Sequence, residues 1–416
     1  MEKLEQTFFF LLLLLLEFFQ LPPAAAVYDV VELGAAADGS ADSAPPLLRA
    51  WDLACRSPLP AAVHVPVGRF LLSKVTFKGP CRSPVAVKID GTLVAAASHG
   101  GAAASHGGAA ASHGGAAASH GGAAAVDPIP ERWIVFDGVR GLSITGGTLD
   151  GSGAALWACK AARRSCPTGA TSLTLSNSED VVVAGVKSVD SELYHVVVHG
   201  CRRVKLQSLQ IAAPASSPNT DGVHVQMSTA VTIYGAAIRT GDDCVSVGPG
   251  TADLFIERVA CGPGHGISIG SLGKTYEEEG VTNVTVTWAV FAGSSNGLRI
   301  KSWARPSTGF VKGVFFQHVL MWDVQNPIIV DQNYCPHAVS CPKQDSGVRI
   351  SEVRFNDIRG SSATPVAVNF NCSRSSRCTD IFLQDVKLTF GDRPAKSSCS
   401  HVDGAASGVM SPPSCL

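Results

Sequence analysis

The sequence predicts an all-β protein wound as a right-handed parallel β-helix, and three observations carry that expectation. A chain of 416 residues can bury a large core, and its 42 glycines and 24 prolines favour many turns over long helices. Short apolar-x-apolar strands recur, starting at Leu142, Val181, Val204, Val231, Leu254, Val284, Val314, Val353 and Ile381. From Val181 to Val314 the starts follow one another at nearly even steps. Their spacing falls within the period of about 20–50 residues that marks solenoids, in which no coil buries its inner face alone and stacked coils share one core. Leucine-rich horseshoes have a similar period but need repeated leucine and asparagine positions that are missing here, and propeller blades need about 40 residues or more.

Taken in order, the segment from Met1 to Ala26 stands apart from this fold. Phe8 to Leu16 is apolar but too short to span a bilayer, and it precedes "LPPAAAVYD" with small residues before an expected cleavage after Ala26. The segment reads as a secretory signal peptide, with residues 27–416 as the mature β-helix domain. Glu2, Glu5 and Glu17 make it an unusual leader, so a retained membrane anchor is the alternative. Next, Pro45 and Pro46 are tolerated only in a first helical turn, so a helix capping the solenoid should start there. The early coils are then interrupted by an insertion at 95–125. It carries four copies of "AAASHGG" with His99, His106, His113 and His120 at intervals of seven. Paired glycines oppose a helix and the composition offers no core, so it reads as a disordered loop, with a histidine metal site as the alternative.

Thirteen cysteines in a secreted chain argue for disulfides. Spacing suggests Cys55–Cys81, Cys159–Cys166, Cys244–Cys261, Cys335–Cys341, Cys372–Cys378 and Cys399–Cys415, which leaves Cys201 alone. No Cys-x-x-Cys pair supports zinc. Sequons at Asn283 and Asn371 fit a secretory route. Loss of the leader removes three glutamates and one lysine, so the formal charge moves from −1 to +1. With neither a strong bias nor a basic run, the chain does not read as a nucleic-acid binder, and an anionic partner must be held by a local cluster of bases.

Such a cluster is visible. Asp221 precedes Asp242, and His265 follows Asp243, by the length of one coil. Arg299 and Lys301 come one coil plus an insertion after His265. Residues one coil apart stack on one face, so three carboxylates, an imidazole and two cations should converge. Alternation along a strand points Arg299 and Lys301 the same way while Ile300 turns inward. A turn or bulge at Gly241 could aim the adjacent Asp242 and Asp243 together into a groove. The plain alternative is that these residues only form turns. It explains an isolated Asp253 but not three mutually repelling carboxylates.

"NTDG", "GDD", "GHG" and "RIK", in this order, resemble the signature motifs of the polygalacturonases of glycoside hydrolase family 28. The similarity runs from about Val27 to Phe390, through "AWDLAC", "VPVGRFLL", "GGTLDGSG" and "NPIIVDQNYC", and is closest to plant enzymes. It implies a right-handed parallel β-helix and inverting hydrolysis of pectin. Asp242 would be the general acid, Asp221 and Asp243 would activate water, and His265 would tune Asp242. Arg299 and Lys301 would offset repulsion of the galacturonate carboxylates. Asn219 would order Asp221 or touch substrate, and Tyr334 matches a position lining the cleft. No cofactor or metal is expected, and a monomer secreted to the cell wall is.

The stretch Asp42-Ser-Ala-Pro45-Pro46, the histidine repeat and Ser302, where threonine is commoner, depart from the family pattern without touching a catalytic position. A pectate lyase would instead need calcium and yield unsaturated products. A non-catalytic pectin-binding protein would have lost an aspartate, and all three remain.

Overall fold

The computed structural model describes residues 26–96, 131–336 and 341–416. The leader up to residue 25 and the repeat from residue 97 onward lie outside these residues. Among the described residues every pairing between strands is parallel except one short pair at Thr389–Pro394 and Phe390–Arg393. An 11-stranded sheet forms one wall of the solenoid. A 23-stranded sheet covers the other two walls, joined by long strands such as Phe310–Val324 that turn the corner between them. The central coil shows the cycle: Thr229–Tyr234 on the first wall, Ala237–Arg239 on the second, Val245–Val247 on the third, and Ala252–Glu257 back on the first.

The nine strand starts read from the sequence form a single stack. Leu142, Val181, Val204, Val231, Leu254, Val284, Val314, Val353 and Ile381 are register partners from one coil to the next. Each is 1% exposed or less, and burial of such side chains is worth roughly 1.5–3 kcal/mol apiece. The residue before each start lies within the same first-wall strand in a left-handed conformation, and the register between coils skips it. Gly141, Asp180, Arg203, Ala230, Asp253, Asn283, Gly313, Glu352 and Asp380 all have φ between 52° and 71°. Glycine, asparagine and aspartate are favoured there because they tolerate that geometry; Asp253 thus has a backbone role as expected, but inside the strand Ala252–Glu257 and not in a turn between strands.

The cap helix spans Ala44–Arg56 with proline in its first turn, as expected. Asp42 accepts from the Ala44 amide at 3.0 Å. Trp51 packs its ring 5.3 Å from Phe77 and 5.4 Å from Phe136 and donates to the Lys78 carbonyl. Cys55–Cys81 ties the helix to the wall beneath it. All six expected disulfides are present, and Cys201 is free and buried. Among the described residues no helix is long and apolar enough to cross a membrane.

Candidate active site

The third wall carries the site. Val223, Val245, Ile267 and Leu298 are register partners facing the core. One residue on, His224, Ser246, Ser268 and Arg299 form the adjacent outward stack. Asp221, Asp242, Asp243 and His265 come from the corners just before these strands. Backbone bonds lock the corners together: Gly222 donates to the Asp243 carbonyl at 2.9 Å and His265 to the Asp242 carbonyl at 2.8 Å.

Two glycines are required by this close stacking. A Cβ at Gly241 would lie 2.1 Å from the Ser217 carbonyl oxygen of the preceding coil. The Gly241 amide meanwhile donates to Thr220 Oγ1 at 3.1 Å. Gly266 has φ 89° and its Cβ would meet the Asn296 carbonyl at 2.3 Å. The "GDD" and "GHG" glycines are thus the price of bringing four successive coils this near. Behind them, Cys244–Cys261 clamps the central coil to the next.

The adjacent aspartates have different environments. Asp242 is partly exposed and its Oδ1 lies 3.0 Å from His265 Nδ1. Asp243 is 1% exposed. Its Oδ1 accepts from Arg299 at 2.5 Å and Ser268 at 2.8 Å, and its Oδ2 accepts from Lys301 Nζ at 2.7 Å. Burial pushes the Asp243 carboxyl up, but Lys301 and Arg299 outweigh it and hold the group below the usual range. Asp221 goes the other way: burial, then the charges of Asp242 and Asp243, push it well above the ordinary value, and the Ser246 hydroxyl offsets only part of this.

As alternation required, Ile300 is buried in the core while Arg299 and Lys301 reach the same partner. Both cations are engaged with Asp243. A cavity of about 950 Å³ is lined by Asn219, Asp221, Asp242, Asp243, Lys301 and Tyr334, whereas Arg299 and His265 are not among its lining residues. Asn219 is exposed with φ 58°, and no hydrogen bond joins its side chain to Asp221 among the described residues, so its amide is open to the cavity. Tyr334 packs edge-on to Trp303 at 5.5 Å, with Lys301 Nζ 5.2 Å from its ring centre. Packing and lining are both its work.

Several residues of the site were not picked out from the sequence. Ser268 bridges Arg299 Nε and Asp243. His224 bonds Ser246 at 2.8 Å, stacks on Tyr194 at 5.3 Å and lines the cavity with it; burial lowers its pKa to about 4. The signal was present, since His224, Ser246, Ser268 and Arg299 share one register position. Ligand-type atoms of Asp242, Asp243 and His265 lie within 4.8 Å of one another. Both Asp243 oxygens already face a cation, so this set offers a metal little unneutralised charge.

A family model described as Glycosyl hydrolases family 28 matches residues 55–411. The chain is 50% identical over 391 residues to a polygalacturonase of Prunus persica, covering 94% of this chain and 93% of that one. It is 37% identical to a polygalacturonase of Gossypium hirsutum, over 93% of this chain and 90% of that one. Among solved structures, an exopolygalacturonase from Thermotoga maritima aligns with a TM-score of 0.73 at 17% identity, covering 95% of this chain and 93% of that chain, and shares the fold.

Proposed function

Because the chain belongs to glycosyl hydrolases family 28, we propose that it is a polygalacturonase, which hydrolyses the α-1,4 bonds between galacturonate units of pectin with inversion. The observation that carries this reading is the divergence of carboxyls within one cavity. Asp243 is held ionised by two cations, while Asp221 is pushed toward protonation by burial. Carboxyls whose environments push their pKa values apart are what acid and base roles at a glycosidic bond require.

In the favoured assignment Asp242, exposed to the cavity and bonded to His265, protonates the leaving oxygen, while Asp243 and Asp221 orient and activate water on the opposite face of the sugar. Lys301 faces both Asp243 and the cavity, so it fixes the base and attracts a uronate carboxylate. Arg299 acts through Asp243, and Asn219 and Tyr334 border the bound sugar. The raised Asp221 favours a second assignment, in which Asp221 delivers the proton. An aryl galacturonide with a good leaving group separates the two. The variant lacking the acid keeps turnover on that substrate and loses it on oligogalacturonate, so Asp242→Asn is expected to show this split and Asp221→Asn is not.

The leader at 1–26, delivery to the cell wall, a monomeric state and the insertion at 95–125 as a segment outside the catalytic machinery belong to the same proposal. Its direct test is the release of reducing ends from de-esterified polygalacturonate in mildly acidic buffer, with and without chelator. Equal rates are expected. Chelator-sensitive activity, or products with the ultraviolet absorbance of unsaturated uronates, would replace hydrolysis by lyase chemistry.

A further inference from the structure

The catalytic cavity extends well beyond the groups assigned to the chemistry. From the strand Val245–Val247, which follows the Asp242 corner, it reaches back over Val223–Gln226, Val196–His199 and Ala170–Ser176 to Glu131–Asp137. Four strand spacings of about 4.8 Å make roughly 19 Å, enough for several sugar rings in line. The assignment of acid and base leaves this stretch unused.

Charge is spread unevenly along the cavity. Around and beyond the Asp242 corner its lining is acidic, with Asp221, Asp242, Asp243, Glu277, Glu278 and Glu279. The cations on that side are committed: Lys301 donates to Asp243, and Lys274 lies beside Glu278, which accepts from its backbone amide and feels its charge. At the far end stands Arg132, exposed, lining the cavity and paired with no other described residue. Its neighbour Glu131 is taken by Lys74. A polyanion in this cavity therefore meets at Arg132 a cation that no described carboxylate has neutralised.

A second observation falls on the same stretch. Thr171 is the register partner of Arg132, and Thr174 continues the outward stack of Val197, His224 and Ser246. Both threonines line the cavity and both are 2% exposed. Thr174 Oγ1 has no hydrogen-bond partner among the described residues. A buried hydroxyl without a partner is a standing cost, and a hydroxyl of a bound sugar would remove it.

We propose that Arg132 and Thr174 form a distal subsite that grips the free carboxylate of a galacturonate unit several rings from the scissile bond, so that long de-esterified stretches are the favoured substrate. A guanidinium can hold a carboxylate through two parallel hydrogen bonds. A methyl ester carries no charge and cannot be held that way. The proposal rests on the hydrolase reading for the class of substrate, and not on which carboxyl is the acid.

Rates of the parent and of Arg132→Gln on trigalacturonate and octagalacturonate give the test, because the short chain stops before Arg132. The ratio of kcat/KM on the long chain to that on the short one should fall roughly two- to fivefold in Arg132→Gln. The thermal midpoint should stay near that of the parent, since the side chain is exposed. Thr174→Val, which keeps the shape and removes the unpaired hydroxyl, should lower the same ratio without lowering the midpoint. Calorimetric binding of octagalacturonate to Asp242→Asn, with and without Arg132→Gln, reads the subsite apart from turnover. Affinity should drop by a similar factor, and the fully methyl-esterified octamer should bind both alike. Unchanged affinity overturns the subsite, as does an unchanged ratio; a gap that persists on the ester overturns the carboxylate contact, and a parent-like ratio in Thr174→Val removes Thr174 from it. If the parent hydrolyses neither oligomer, the hydrolase reading falls and the binding pair still decides on Arg132.

Discussion

Asp242 and Asp243 are neighbours in sequence with opposite relations to water, and substitution should expose the difference. Asp242→Asn keeps size and most hydrogen bonds but removes a transferable proton. Turnover should fall roughly 10²- to 10⁴-fold with the thermal midpoint near that of the parent. Asp243→Asn should also lower turnover, but it leaves Arg299 and Lys301 buried opposite a neutral amide. Breaking a buried pair in this way costs about 3–5 kcal/mol, so its midpoint should drop sharply. Initial rates beside thermal melts check both; equal midpoints for the two variants would show that the Asp243 ion pairs do not bear on stability. Arg299→Ala and Lys301→Ala should do more than raise KM. Each releases Asp243 from a cation that holds it ionised, so the acid limb of the pH–rate profile should move to higher pH. An unmoved limb with only a raised KM would make the cations substrate ligands alone.

At the scale of the strand and its corner, Gly241 sets the site. Gly241→Ala drives a methyl against the Ser217 carbonyl, backbone on backbone, so the Asp242 corner must lift away from the Thr220 coil. Overpacking of this kind costs about 1–3 kcal/mol, and turnover should fall with it although no catalytic group is changed. Parent-like turnover in that variant would show that the corner can relax. The first-wall strands were legible because each presents alternating apolar residues, and the nine starts from Leu142 to Ile381 fell on one stack without error. The second wall was not, because strands such as Ala237–Arg239 and Ala260–Cys261 are too short to show a period. Convergence of Asp221, Asp242, Asp243, His265, Arg299 and Lys301 was legible from coil spacing. The burial of Asp243 behind Asp242 was not, since alternation is lost at a corner and only the folded backbone says which carboxyl turns in. Ser268 escaped notice because a serine between apolar residues reads as strand filler until its register with Arg299 is known.

For the molecule as a whole, buried histidines set the response to acid. His195 is fully buried, bonded to Ser188 through Nδ1 and without a partner at Nε2 among the described residues; burial lowers its pKa to about 3. The unfolded chain binds that proton near pH 6.5 and the folded one does not. Stability is therefore fully present above about pH 6.5 and is lost as pH falls toward 3, by up to about 1.4 kcal/mol per pH unit. His224 acts in the same direction down to about 4. The depressed Asp243 adds its own loss below the ordinary carboxylate range, whereas the raised Asp221 stabilises at low pH and loses that contribution as pH rises through its folded value. Melts from pH 7 to 4 should show a falling midpoint, with a shallower slope in His195→Asn even if that variant starts lower. A slope unchanged by the substitution would remove His195 as the source.

The spacing of the coils has a further consequence. On the third wall Val223 pairs with Val245, Ile267 with Leu298, and Val75 with Ile134. The chain between partners is shortest in the first case and longest in the last, yet the walls match in all three. Inheritance in such an architecture acts on corners and coils separately: a gene can gain or shed dozens of codons at a corner without displacing any residue of the chemistry. Descendants of one ancestral hydrolase could thereby diverge in what reaches the groove mouth, and so in which polysaccharide architectures they admit, while the reaction itself stayed under unchanged selection.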